Sequence, residues 1–576
     1  MAKTIIYLFL IGLVSGCTKP KDFILLNDND PRLAKASIVL NTKCLSCHQN
    51  YGFSNNQEWI DSGLVQPGDL KRSILFSSLR GAGQNGAENM PPSHSNSLSI
   101  EELTILKDWI LHLKEHNSTS LKTKVTYLKE KQSEKKLLKR CISQLSQKYY
   151  KEIPFSSCED ALNTLKVSMD VELKGDFQLA ALRNLQFLHN SFFTEVNFNK
   201  NNENWGTFEL FDPNETAYSL TASFFIEEIK FKSLFQGSSL IGAKRKKEGV
   251  SEFLVFRQDD DMFLPQNRYK WLNGNNPDSP ETWSPEPAPV ARGQFVGFTR
   301  YSPKRSLIFN VFKNNEERDG VPGIFPLHKS FGGGILGSTS YSILNYSNNF
   351  LQVMDSENKT MRSWSKAVFR DYMCRSLPVL SIYDSHSMVN KKSKLPFQRS
   401  ASCLQCHLSI DPTAKALSFV SMGHNNVIAE RIDLKSEAVG ALQTIVPFDV
   451  RQSSLVEKYK TDEKGVMSFR NYKGEYKELK FSNIEELGKK MMLELDPYLC
   501  FSKRYLEYFL DLRIDLDELI NKKNSHSAKE RFIYNELIKL GKTLQRDQSP
   551  KTLLKAIFNH DLYKYGYENI KVDYIK

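Results

Sequence analysis

Apolar positions near the start of the chain recur with a helical period in three places. From Pro31, the stretch Ala34-Lys35-Ala36-Ser37-Ile38-Val39-Leu40 predicts a helix running into Cys44. A loop with Trp59 and a turn at Gln66-Pro67-Gly68-Asp69 follow, then a helix over 70–79 with Leu70, Ile74 and Leu75 in register. A Gly-rich loop, Gly81-Ala82-Gly83, closes on Asn89-Met90-Pro91-Pro92. Ser99 with Glu102 three positions on predicts a capping box. The helix it opens has Leu103, Leu106, Ile110 and Leu113 on one face and Trp109 beside it.

Periodicity weakens over 114–140, which is rich in Lys, Ser and Glu and reads as a linker or an exposed helix. Cys141 and Cys158 bracket Pro154 with helical patterns on either side, so a disulfide there would staple a helical hairpin. Further helices are predicted at Gln178–Phe193 and Thr216–Leu234, and strands at Phe253–Phe256 and Ser306–Val311. Asn273–Pro289 reads as an irregular loop. Asp259, Asp260 and Asp261 are consecutive, and a calcium loop needs alternating ligands, so they read as a solvated turn. Ser549-Pro550 starts a closing helix with Leu554, Ile557 and Phe558 on one face. The fold class expected is mainly α with a few strands.

The first residues read as an export signal rather than as part of this fold. Lys3 precedes an apolar core, Ile5–Val14, that is too short to span a membrane as a permanent helix. It ends Leu13-Val14-Ser15-Gly16-Cys17, which resembles the lipobox of bacterial lipoproteins; that resemblance implies cleavage before Cys17 and a lipid anchor on it. The expectation is an exported chain at the periplasmic face or outer membrane, held to the membrane through Cys17. The formal charge of +12 is spread without a dominant basic run and reads as a Lys-rich solvated surface. Nucleic acid is not an expected partner of an exported chain.

Candidate chemistry lies in Cys44-Leu45-Ser46-Cys47-His48 and in its second copy, Cys403-Leu404-Gln405-Cys406-His407. C-x-x-C-H is the attachment sequence for c-type haem: two thiols add across the porphyrin vinyl groups and the adjoining imidazole is the proximal iron ligand. A Cys-x-x-Cys pair alone could be a redox dithiol or half a zinc site, and the following histidine in both copies favours haem. Two covalent haem c groups are therefore expected. Of nine cysteines, Cys17 and the four motif thiols leave Cys141, Cys158, Cys374 and Cys500, an even number that suggests two disulfides in an oxidising compartment.

Residues 31–115 resemble a class I cytochrome c, and more narrowly the small cytochromes of planctomycetes. The C-x-x-C-H, the Pro-Gly-Asp turn, the Met-Pro-Pro loop and the Trp109-Ile110 helix end carry the likeness. It implies Met90 as the distal ligand of the first iron, a thioether that favours the ferrous state. The later chain resembles the uncharacterised domains that accompany such cytochromes, through Gly334-Ile335-Leu336, Cys374-Arg375-Ser376-Leu377-Pro378, and Cys406-His407 running on to Ile410-Asp411-Pro412. Leu499-Cys500-Phe501 and Tyr505-Leu506-Glu507-Tyr508 extend it. The continuation Thr413–Ser418 departs from that pattern; Asp411 still reads as an N-cap with Pro412 at the first helical position. Locality pairs Cys141 with Cys158, and the family-like positions pair Cys374 with Cys500. The glycine run Gly332-Gly333-Gly334 lacks the residues of a phosphate loop.

The domains expected are a signal and lipobox (1–17), a cytochrome c domain (31–115), a linker (116–140), a mixed middle domain (141–330) and a C-terminal domain with the second haem motif (331–576). No Met-Pro-Pro loop follows Cys403, so the sixth ligand of the second iron is open: Met422 is the first candidate, then His424, His386 or His328, or a vacant site. Three functions fit. The first is a lipid-anchored dihaem cytochrome exchanging electrons with redox partner proteins. The second resembles a dihaem peroxidase with an open second haem, and the third is a surface-binding envelope lipoprotein. No Ser/His/Asp or H-E-x-x-H arrangement points to a hydrolase.

Overall fold

In the computed structural model, the described residues are 30–44, 55–61, 64–70, 73–79, 98–113, 123–193, 214–246, 254–258, 294–300, 306–313, 316–326, 330–345, 357–386, 388–431, 438–449, 451, 462–521 and 527–574. Helix predominates over strand among them, as the hydrophobic patterning predicts.

The first core is small. Helix α1, Pro31–Lys43, starts with Asp30 as N-cap, its carboxylate accepting from the Arg32 N–H, and a proline in the first turn. Helix α2, Ile100–His112, opens on the predicted capping box: Ser99 and Glu102 bond each other's backbone reciprocally. The two helices pack through Leu33, Ala36 and Leu40 of α1 and Leu106, Trp109 and Ile110 of α2. Trp109 is fully enclosed at the centre of this core rather than beside its apolar face. Its indole N–H donates to Asn56 Oδ1 at 2.8 Å, Asn56 donates in turn to Asp30, and Trp59 meets the ring edge-on at 5.7 Å. The helix predicted over 70–79 is reduced to Ile74–Ser77, because Ser73 turns its hydroxyl back onto the Gln66 and Asp69 carbonyls and starts the helix late.

The second core draws on residues from Leu137 to Val572, so buried residues on both sides of position 330 belong to one cluster. Within the stretch 116–140, Thr123–Tyr127 is strand β1, and residues 128–133 lead into helix α3, Glu134–Ser146. Helices α4 (Cys158–Thr164), α5 (Asp176–Phe193) and α6 (Glu215–Phe225) follow. The helix predicted over 216–234 stops at Phe225, whose carbonyl accepts from the Val167 N–H; the chain resumes as a 3-10 turn at Phe231–Phe235.

Strands β2 (Ile241–Lys246) and β4 (Gln294–Arg300) form an antiparallel pair. Strands β3 (Leu254–Gln258), β5 (Ser306–Lys313), β6 (Glu316–Pro326), β7 (Val420–Arg431) and β8 (Ala438–Asp449) share an antiparallel sheet in which β7 pairs with β3, β5 and β8. Helices α7 (Glu357–Tyr372), α8 (Ile382–His386) and α9 (Ala401–Ala414) lie between β6 and β7 in the chain. Beyond the sheet come the hairpin β9 (Gly465–Arg470) and β10 (Tyr476–Phe481) and helices α10 (Ile484–Met491) and α11 (Asp496–Leu510). Helices α12 (Ala528–Asp547) and α13 (Pro550–Asn559) precede strand β11, Ile570–Tyr574. The apolar face predicted for α13 is buried through Leu554, Ile557 and Phe558. Strand β11 pairs antiparallel with β1, Thr123 opposite Tyr574, and so joins the two ends of this body.

Both expected disulfides are present. Cys141–Cys158 links α3 to α4 with alpha carbons 6.1 Å apart, and Cys374–Cys500 links the end of α7 to α11 at 5.0 Å. The run Gly332-Gly333-Gly334 is left-handed at all three positions. The Gly333 N–H donates to Glu485 Oε2, as does the Gly237 N–H, so a carboxylate of the chain itself occupies the turn.

Candidate functional site

The second C-x-x-C-H motif lies wholly inside α9. Ser400 is the N-cap residue, and the helix packs against α7, α8, β9 and the 3-10 turn Pro396–Arg399. Leu404, Ser409 and Thr413 are buried, which fixes the inner face. Cys403, Cys406 and His407 fall on neighbouring turns, where residues three and four apart share a side of a helix. Cys403 is exposed, Cys406 is half-buried, and neither is in a disulfide. Gln405 donates to the Leu380 carbonyl at 3.2 Å and ties the motif to the turn before α8.

His407 is held on two sides. Its Nδ1 lies 3.0 Å from Asp411 Oδ2, one turn further along α9. Phe397 stacks on the imidazole with ring centroids 4.2 Å apart and planes 19° from parallel. Asp411 is gripped from α7 by Arg362, Nε donating to Oδ1 at 2.7 Å and Nη2 to Oδ2 at 3.1 Å. Asp411 is therefore not an N-cap, and Pro412 does not open a helix. Because α9 begins at Ala401, both residues fall in its final turns, and Pro412 has no N–H to offer the Leu408 carbonyl. The helix ends at Ala414 and tightens into a 3-10 turn, Lys415–Leu417. Strand β9 passes directly over this point: a side chain at Gly465 would place its Cβ 2.2 Å from the Pro412 carbonyl oxygen.

Two of the motif thiols are raised by their surroundings. Burial pushes Cys44 up to about 11. Burial, then the neighbouring Cys403, pushes Cys406 up against a smaller opposing effect of Lys366. Among the described residues, no cluster of three or more His, Cys, Asp or Glu side chains could enclose a bare metal ion. Haem asks less of the protein, since the ring supplies four of the iron ligands and the chain one or two. Two unpaired thiols on one side of a helix, with an imidazole whose Nδ1 is already engaged, fit that requirement.

Of the other site residues read from the sequence, Cys44 ends α1 and packs on the first core. Cys17, Cys47, His48, Met90 and His328 lie outside the described residues, as do the signal segment, Asp259–Asp261 and Asn273–Pro289. His386 ends α8, a helix packed on α9. Met422 and His424 lie near the start of β7, with Pro447 and Ile445 as their register partners on β8. Arg362 and Phe397 went unmarked in the sequence. Neither belongs to a motif, and each reaches His407 or its partner only through the packing of α7 and the 3-10 turn on α9. The spacing of four from His407 to Asp411 is a signal that sequence does carry, once the motif is placed on a helix.

No family model matches the chain, and neither does any curated protein or solved structure. Among the described residues, no helix is long and apolar enough to cross a membrane.

Proposed function

We propose that this chain is a lipid-anchored, dihaem c-type cytochrome that carries electrons in the bacterial periplasm or cell envelope. Cys44, Cys47 and His48 would hold one haem, with Met90 opposite His48. Cys403, Cys406 and His407 would hold the other, with Met422 the first candidate for its sixth position. Each haem supplies a one-electron iron couple. The chain's own part would be to fix the ring by two thioethers and present one imidazole. The observation that carries the reading is the division of the cysteines. The four spare thiols pair off as Cys141–Cys158 and Cys374–Cys500, while Cys403 and Cys406 stay free beside an oriented His407. Packing of α9 against α7, α8 and β9 gives the second motif a rigid frame, as electron transfer with little rearrangement favours.

An optical and EPR spectrum of the purified full-length protein, with CO and peroxide added, tests this. Electron transfer alone predicts low-spin c-type spectra that neither reagent alters. A high-spin component that binds CO would replace this reading with the peroxidase-like one, and absence of haem bands would end both.

A further inference from the structure

Haem attachment requires two thiols and one imidazole nitrogen, and places no demand on what the second imidazole nitrogen meets. In α9 that nitrogen meets a carboxylate, and the carboxylate meets a guanidinium. His407 Nδ1 is 3.0 Å from Asp411 Oδ2, and Arg362 donates to both oxygens of the same group. Phe397, flat against the ring, keeps the imidazole from tipping out of this line. The three polar side chains are between a quarter and two-fifths exposed, so solvent screens their interaction only in part.

We propose that Asp411 and Arg362 are a positioning pair that sets how strongly His407 donates electrons to the second iron, Asp411 strengthening the donation and Arg362 moderating it. This rests on the haem reading above. An Nδ1–H donating to a carboxylate fixes the tautomer that leaves the Nε2 lone pair free for iron, and it raises the basicity of the ring. Both the bond and the negative charge favour ferric iron and lower the potential. The guanidinium acts the other way. Its Nη2 shares Oδ2 with His407, so it draws on the same lone pairs and offsets the same charge. A pair that merely stapled α7 to α9 would have no need of the imidazole.

The test is a redox titration and ferric EPR spectrum of the second haem in the full-length holoprotein and its variants. Asp411→Asn is expected to raise the potential by a shift on the order of tenfold in the reduction equilibrium, about 59 mV for one electron. Arg362→Gln is expected to lower it, and the ferric g values should move in opposite senses in the two variants. Should Asp411→Asn not fold, the sign of the Arg362→Gln shift alone decides. Two haems with potentials and g values unchanged, or displaced in the same direction by both substitutions, would overturn this proposal and leave the haem reading standing. Wild-type protein without a second haem would overturn both.

Discussion

His189 and Asp496 are both buried in the second core, and burial drives their ionisation in opposite directions. His189 on α5 lies among Phe192, Phe224 and Tyr505, with Nδ1 2.8 Å from Thr221 Oγ1 and Nε2 2.8 Å from the Tyr505 hydroxyl. Thr221 donates onward to Gln186 Oε1, so its oxygen accepts from the Nδ1–H. Burial pushes His189 down to about 3. Between pH 6.5 and 3 the unfolded chain therefore binds a proton that the folded one refuses, and stability falls as pH falls through that window. Asp496 at the start of α11 is fully buried, with the Tyr472 backbone N–H facing its carboxylate. Burial pushes it up to about 7, against a smaller opposing pull from Arg375. Here the unfolded chain gives up its proton first, and stability falls as pH rises from about 4 to 7. The two slopes oppose each other between pH 4 and 6.5. Urea midpoints across that range should show His189→Gln becoming more stable toward acid relative to wild type, and Asp496→Asn less so. At pH 8, Asp496→Asn should gain on the order of 2–4 kcal/mol by removing a buried charge. Variant curves parallel to wild type would show that neither group titrates this way. Neither effect was legible in the sequence, because a histidine or an aspartate acquires its ionisation from neighbours that only packing supplies.

Elements whose determinants are local were legible, and elements fixed by distant partners were not. The capping box at Ser99 and the proline start of α13 each depend on residues within one turn. Asp411 was misplaced because Asp-Pro is also a helix-start signal, and only the start of α9 at Ala401 shows it to be interior. The glycine run was visible as glycine, yet its reason lies about a hundred residues away on the chain. Gly334 has φ +58°, and a Cβ there would sit 2.0 Å from the Leu234 carbonyl oxygen. Gly334→Ala should cost about 2–4 kcal/mol, read as a lower melting temperature, since both the backbone and the rigid acceptor resist it. A melting point within a degree of wild type would place the close approach elsewhere. Locality served the first disulfide well. Replacing Cys141 and Cys158 together by serine should cost roughly 3 kcal/mol through the freed 17-residue loop, measured by denaturant unfolding under oxidising conditions. An unchanged midpoint would mean that α3 and α4 are held by packing alone.

At the scale of the whole molecule, the closure of the second body could not be read from the sequence. Strand β1 lies in a stretch whose composition reads as linker, and its partner β11 is the last strand in the chain. Ile570-Lys571-Val572-Asp573-Tyr574 does alternate, but an alternation of five residues names no partner strand. The two C-x-x-C-H motifs, by contrast, are legible from five residues each, since the proposed covalent haem attachment would be specified by the residues that react rather than by the fold around them. The proposed dihaem function depends on those ten residues acting alike. Haem stoichiometry in the full-length protein, from pyridine haemochrome absorbance together with intact mass, tests that most directly. Two covalent haems per chain are expected, falling to one when Cys403 and Cys406 are both replaced by serine. A single haem in the wild-type protein, unaffected by that double substitution, would contradict it.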